Sequence, residues 1–128
     1  MGIRDRNGWD EDIGDVYWDR KMTIIEAHVE DARTKGANIL MGGRRNPDLP
    51  GLYYEPTVIT GVDNSMDIML LETFGPVLCI QKVDNENEAV ALANDSEFGL
   101  NGNVWTKDKD KGYRLAAAID TGACSVND

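Results

Sequence analysis

The sequence predicts an α/β fold, a layered sandwich built on a mainly parallel sheet. Three observations carry that prediction. From residue 77 onward, apolar β-branched runs alternate with amphipathic runs in the order strand, helix, strand, helix, strand. The connections between them are a few residues long, which favours right-handed crossovers between neighbouring elements. A separate apolar stripe at helical spacing, over residues 18–35, supplies a layer to pack on such a sheet.

The first 16 residues are polar, with Asp10, Glu11, Asp12 and Asp15 crowded together, and read as a solvated, partly disordered lead-in. Asp10, Asp12 and Gly14 faintly suggest a calcium loop, but the closing glutamate and the full ligand spacing are absent. Residues 17–128 then read as one domain. A helix is expected from Trp18 to Lys35, because Trp18, Met22, Ile25, Val29 and Ala32 recur in steps of four and three. Gly36 stops it as a left-handed cap, and His28 lies beside the stripe as a residue at the rim of the core. Two short strands are expected at Asn38–Met41 and Tyr53–Ile59, separated by turn chemistry at Gly42-Gly43 and Pro50-Gly51. Arg44 and Arg45 could bind a phosphate. No glycine-rich loop opening a helix accompanies them, so a solvated loop is the plainer reading.

Ser65–Leu71 reads as a short apolar helical turn, and Val77–Val83 as a buried strand. Asn85 and Glu88 resemble a capping box that opens a helix to about Asn94, with Ala89, Leu92 and Ala93 as its apolar face. Asn103–Thr106 is the next expected strand. Asp108 caps a helix carrying Gly112, Leu115, Ala116 and Ile119 on one side, Gly122 terminates it, and Ala123–Asn127 begins a last strand. A strand that would be buried stops at Asp128, which suggests a piece of something larger.

With 128 residues the chain is long enough to bury a core, and its net charge of -10 argues against nucleic acid and anionic membranes. No apolar run approaches the roughly 20 residues needed to span a bilayer, and no secretory leader is signalled, so a cytoplasmic location is expected. One histidine and two distant cysteines leave no metal or redox spacing. Cys79 and Cys124 lie in apolar strand contexts without a base or cation beside them, where a thiol packs as a small hydrophobe. Dinucleotide fingerprints, phosphate loops, metalloprotease motifs and nucleophile elbows are missing.

What stands out is Glu72-Thr73-Phe74-Gly75-Pro76. Gly75-Pro76 makes a fixed turn between helix and strand, which holds Glu72 and Phe74 at a strand edge. A carboxylate there can accept two hydrogen bonds from a diol such as a ribose, and an adjacent aromatic can pack on a flat ring. A capping glutamate and a core phenylalanine would fit the same five residues, and on the residues alone that reading carries more weight.

Glu-x-Phe-Gly-Pro followed by an apolar strand resembles the cofactor-contact motif of the aldehyde dehydrogenase superfamily. Gly36-Ala37 and Gly42-Gly43, Tyr54-Glu55-Pro56-Thr57-Val58, Ala93-Asn94 before Phe98-Gly99-Leu100, Val104-Trp105-Thr106-Lys107-Asp108, and Gly122 with Val126-Asn127 occur in that family's order and spacing. The likeness covers nearly the whole chain from about Ile13. It implies part of an aldehyde dehydrogenase-like catalytic domain, its later portion, in which Glu72 would hydrogen-bond the nicotinamide ribose hydroxyls and Phe74 would lie near the nicotinamide of NAD or NADP. In the family a cysteine thiolate attacks the aldehyde, hydride passes to NAD(P)⁺, and a glutamate-activated water releases the acid. The nucleophile, that glutamate and the dinucleotide-binding domain lie upstream of the region resembled here, and neither Cys79 nor Cys124 matches the nucleophile. Leu70-Leu71 stands where the family usually has a charged pair, and Asp15 where a proline commonly follows the glycine matching Gly14.

The resemblance therefore implies a partial NAD(P)⁺-dependent aldehyde dehydrogenase, inactive as this isolated chain and not binding the cofactor tightly alone. The alternative is a stand-alone, non-catalytic binding or oligomerisation module derived from the same fold. A defined homo-oligomer would mark the module, whereas an unprotected fragment should aggregate or partly unfold, and an aldehyde substrate is expected only in the context of a full-length enzyme.

Overall fold

The computed structural model describes residues 14–128, and these form two compact units, the first running to Gln81 and the second from Lys82 to Asp128. Asp10 and Asp12, and most of the polar lead-in expected to be solvated, lie outside the described residues. From that lead-in, Val16 packs against the core of the first unit, its N–H donating to the Leu52 carbonyl at 2.7 Å.

Helix α1 spans Asp19–Thr34, and its residues Met22, Ile25, His28, Val29 and Ala32 are buried. The stripe expected from the periodicity is therefore the buried one, except at its first member. Trp18 sits at the N-cap position, 52% exposed, with the Arg20 guanidinium 5.9 Å above its ring. It belongs to the helix entrance and not to the core. The Ala37 N–H donates to the Ala32 carbonyl (2.9 Å) as the chain leaves the helix, with Gly36 at φ +96°.

Strands β1 (Asn38–Met41), β2 (Thr57–Thr60) and β3 (Val77–Ile80) form a sheet in the order β1-β2-β3, and the single turn α2 (Asp67–Leu70) lies between β2 and β3. β1 runs antiparallel to β2 with a bulge at Leu40, and β2 runs parallel to β3 with Thr57 opposite Val77 and Ile59 opposite Cys79. β2 begins later than its apolar run suggested. Pro56 has no N–H to give a ladder, and Tyr53 and Tyr54 pair backwards instead. Arg45 and Tyr54 form an antiparallel bridge, with Asn46 N–H to the Tyr53 carbonyl at 2.8 Å. β3 ends at Ile80, three residues early, where its pairing partner ends: Gly61 takes φ +67° and turns the neighbouring strand away.

Alternation decides which sheet face is inside. Ile39, Ile59, Val77 and Cys79 join the α1 stripe, Tyr54, Val62, Met66 and Ile68 in one core. Each fully buried aliphatic chain there contributes roughly 1.5–3 kcal/mol. The other face, with Leu40, Leu78 and Ile80, is open, so the expectation of a strand buried on both sides at 77–83 fails: Leu78 is 59% and Ile80 47% exposed.

The second unit contains α3 (Glu86–Asn94), β4 (Asn101–Val104), α4 (Lys109–Ala118) and β5 (Ala123–Val126), and β4 and β5 pair in parallel. Strand, helix, strand, helix, strand is thus the observed order from β3 onward, and two of the three strand pairings in the two sheets are parallel, as the α/β reading required. Both expected caps form: Asn85 Oδ1 accepts from Glu88 N–H and Asp108 Oδ1 from Lys111 N–H, each at 3.0 Å. Glu88 reaches back to the Asp84 N–H (2.8 Å), one residue before the position a capping box uses. β4 starts at Asn101, two residues before its expected start, because Asn101 and Gly102 pair with Ala123 and Cys124 despite their poor strand propensity. It ends at Val104, because Asn127 takes over both backbone groups of Thr106 with its side-chain amide, at 2.8 Å each. The apolar face expected on α3 is not a buried one: no residue of that helix is buried, and Ala89 and Ala93 are exposed.

Candidate functional site

Residues 71–76 connect α2 to β3. The Leu71 N–H donates to the Asp67 carbonyl (2.8 Å) and ends the turn, and Leu71 itself is already extended. Two backbone bonds fix the far end: Thr57 N–H to the Pro76 carbonyl and Val77 N–H to the Gly75 carbonyl, both 2.8 Å. The corner is therefore tied to the first residue of β2 and to its own strand. It stands at the amino ends of two parallel strands, not at the carboxyl ends where open α/β sheets usually collect ligands, so its candidacy rests on its side chains.

Those side chains alternate. Glu72 is exposed, Thr73 half-buried and Phe74 60% exposed. Glu72 has no hydrogen bond or ion pair with any described residue, which leaves all its acceptor sites available. Phe74 is neither a core residue nor loose: the Lys21 ammonium lies 4.5 Å from its ring centroid, a cation–π contact that steadies one side of the ring. Gly75 is pressed onto α1, since a Cβ built there would fall 2.5 Å from Ile25 Cδ1. The capping-glutamate and core-phenylalanine alternative does not describe this corner, because Glu72 follows α2 and Phe74 faces solvent.

The contact that sequence reading missed is His28. It is 8% exposed, and its Nδ1 shares a 2.6 Å hydrogen bond with Thr73 Oγ1, the direction of donation set by the imidazole tautomer. Lys21, Ile25 and His28 are spaced four and three apart, one stripe of α1, and touch Phe74, Gly75 and Thr73 in turn. That spacing is visible in the sequence. The contact 45 residues away is not.

The remaining candidates are accounted for locally. Arg44 pairs with Glu55 (3.0 Å), and Arg45 holds Glu26 through two bonds of 2.6 and 2.8 Å that keep its carboxyl below the usual range. These pairs line an open hollow of about 560 Å³ whose cations are already neutralised, which favours the solvated-loop reading over a phosphate site. Cys79 is half-buried and burial pushes its thiol pKa up, the reverse of what a nucleophile needs. Cys124 is half-buried in β5. Among the described residues no cluster of His, Cys, Asp or Glu could hold a metal ion, and no helix is long and apolar enough to cross a membrane. On the open face, Met41, Val58, Pro76 and Leu78 line an apolar hollow of about 290 Å³ next to the corner.

Comparison with known proteins gives consistent matches. The model of the aldehyde dehydrogenase family matches residues 3–128. A Mycolicibacterium smegmatis protein provisionally named succinate-semialdehyde dehydrogenase [NADP(+)] is 40% identical over 117 residues, 91% of this chain and 23% of its own length. An aldehyde dehydrogenase of Paenarthrobacter nicotinovorans is 42% identical over 115 residues, 90% of this chain and 25% of its own. The solved structure of betaine aldehyde dehydrogenase from Staphylococcus aureus in complex with NAD+ superposes with a TM-score of 0.91 at 40% identity, over 98% of this chain and 26% of that one. The chain spans about a quarter of the length of the relatives it matches.

Proposed function

Because the chain belongs to the aldehyde dehydrogenase family, we propose that it supplies the nicotinamide-ribose corner of an NAD(P)⁺-dependent aldehyde oxidation whose nucleophile, general base and dinucleotide-binding domain reside in other polypeptide. Glu72 accepts hydrogen bonds from the two ribose hydroxyls, and Phe74 limits where the nicotinamide ring can lie. The nicotinamide, when bound, supplies the hydride acceptor; the residues of this chain bind and orient. One observation carries the reading: an exposed carboxylate without a partner among the described residues stands two residues from an exposed ring, on a corner pinned by two 2.8 Å backbone bonds. A diol and a flat ring fit that pair, and the rigidity keeps their ordering cost low. The relatives add support, since one is solved with NAD+ and another is named for NADP(+).

Orientation of aldehyde, thiolate and nicotinamide is worth roughly 7–11 kcal/mol in such reactions, and this chain provides only part of it. The isolated chain is therefore expected to show no aldehyde oxidation. NAD⁺ titrations of wild type and Glu72→Ala, followed through backbone amide shifts, test the contact. Weak binding that drops about tenfold or more in the variant is expected, the loss that follows from removing hydrogen bonds to a charged acceptor. Equal affinities would remove Glu72 from the cofactor site.

A second reading, a non-catalytic module that assembles with copies of itself, is favoured by the open apolar face of Leu40, Leu78 and Ile80. Sedimentation velocity separates the two: a defined dimer at micromolar concentration supports the module, a monomer counts against it.

A further inference from the structure

We propose that His28 is a positioning residue for this corner: by holding the Thr73 hydroxyl against α1 it sets the directions in which Glu72 and Phe74 are presented. The proposal rests on the nicotinamide-ribose reading above and assigns it a residue outside the motif.

The geometry works through alternation. Thr73 is turned inward while its two neighbours are exposed. In extended backbone, successive side chains leave on opposite sides, so fixing one residue inward commits both neighbours outward. Among the described residues one side-chain polar contact does the fixing, the 2.6 Å bond between His28 Nδ1 and Thr73 Oγ1. The other two points at which α1 meets the corner are less directional. Ile25 excludes a Cβ at Gly75, and Lys21 lies over the Phe74 ring. A methyl can slide and an ammonium can swing, whereas a short hydrogen bond between a buried imidazole and a hydroxyl fixes both a distance and a direction. His28 itself cannot drift, because it is 8% exposed between Ile25 and Val29 on a well-packed helix. An inert buried residue in this place needs no polar atom; an imidazole aimed at the residue between the two candidate contacts does more than fill space.

The test uses the 128-residue chain and five variants: His28→Leu, Thr73→Val, the two combined as a double variant, Thr73→Ser and Glu72→Ala. Thr73→Val keeps the shape of the side chain and removes the hydroxyl, and Thr73→Ser keeps the hydroxyl. Backbone ¹⁵N relaxation reads local order without a ligand, and titration with nicotinamide mononucleotide reads the contact. His28→Leu and Thr73→Val are expected to lower the order parameters of residues 72–74 from about 0.85 toward about 0.6, with α1 and β3 unchanged. Both should weaken nicotinamide mononucleotide binding by about three- to tenfold, and the double variant should add little to either single change. Thr73→Ser should behave as wild type. Unchanged order at 72–74, or order lost with affinity unchanged, overturns the role of His28. If Glu72→Ala weakens binding while His28→Leu and Thr73→Val do not, the His28 role alone falls. If Glu72→Ala binds like wild type, or wild type does not respond, the cofactor reading falls with it.

Discussion

Gly42 and Gly36 both have positive φ, +70° and +96°, yet the space around them differs. No described residue lies within 4 Å of a Cβ built on Gly36, whereas one on Gly42 would fall on the Pro56 carbonyl oxygen. Alanine at Gly36 should therefore cost only the left-handed conformation, roughly 1–2 kcal/mol. At Gly42 a backbone clash adds to that strain, so the loss should exceed the first by about 1–3 kcal/mol in urea unfolding. Tyr54 makes a prediction about pH. Burial raises its phenol from 10.0 to about 12. A raised folded pKa means that the folded state holds the proton more tightly, so this contribution is complete below pH 10 and fades as pH climbs from 10 to 12. Unfolding free energies measured across that window should fall for wild type and fall less steeply for Tyr54→Phe. At this scale the corner that holds Glu72 and Phe74 was legible, because Gly75-Pro76 announces a turn between helix and strand, whereas a role for the pair came only from the family resemblance. The His28–Thr73 bond was not legible, since it depends on how a helix and a corner 45 residues apart are brought together.

The helix caps show what local chemistry can specify. Asn85 and Asp108 accept from the N–H groups three residues on, as their identity and position suggested. Replacing either by alanine should cost about 1 kcal/mol. The effect should be easier to see in α3, which has no buried residue and so depends more on its ends. Amide exchange within Glu86–Asn94 should accelerate in Asn85→Ala and stay near wild type in Asn85→Ser. The limits of α1 and α3 were legible to within a residue, whereas α2 begins two residues later than expected and α4 ends at Ala118, with Ile119 already extended, well before the Gly122 expected to stop it. Strand limits were legible for β1 and, to within a residue, for β5, but not for β2, β3 and β4, because a strand ends where its partner does. Ile80 stops where Gly61 turns β2 away, and Asn101 starts where Ala123 offers a ladder. The Asn127 amide, which closes β4, acts through a contact 21 residues distant that no local pattern announces.

At the scale of the molecule, the described residues cover the first sheet on one side only. Ile59 is completely buried beneath α1, whereas Leu78 and Ile80 face outward from the adjoining strand. Ile59→Ala should cost about 2–5 kcal/mol. Leu78→Thr and Ile80→Thr should each change stability by less than about 0.5 kcal/mol and reduce binding of an apolar dye such as ANS. The fold class was legible because alternation of elements is a property of the whole chain. The open face was not, because an apolar strand reads the same whether or not something covers it. The chain spans about a quarter of its relatives, so the role of the corner is best tested where the rest of an active site exists. A chimera in which this chain replaces the matching segment of the Staphylococcus aureus betaine aldehyde dehydrogenase provides that setting. NAD⁺-dependent turnover should survive in the chimera, and Glu72→Ala in it should raise KM for NAD⁺ or lower kcat by about tenfold or more. An active chimera whose NAD⁺ kinetics are the same with and without the Glu72 carboxylate would contradict the assignment.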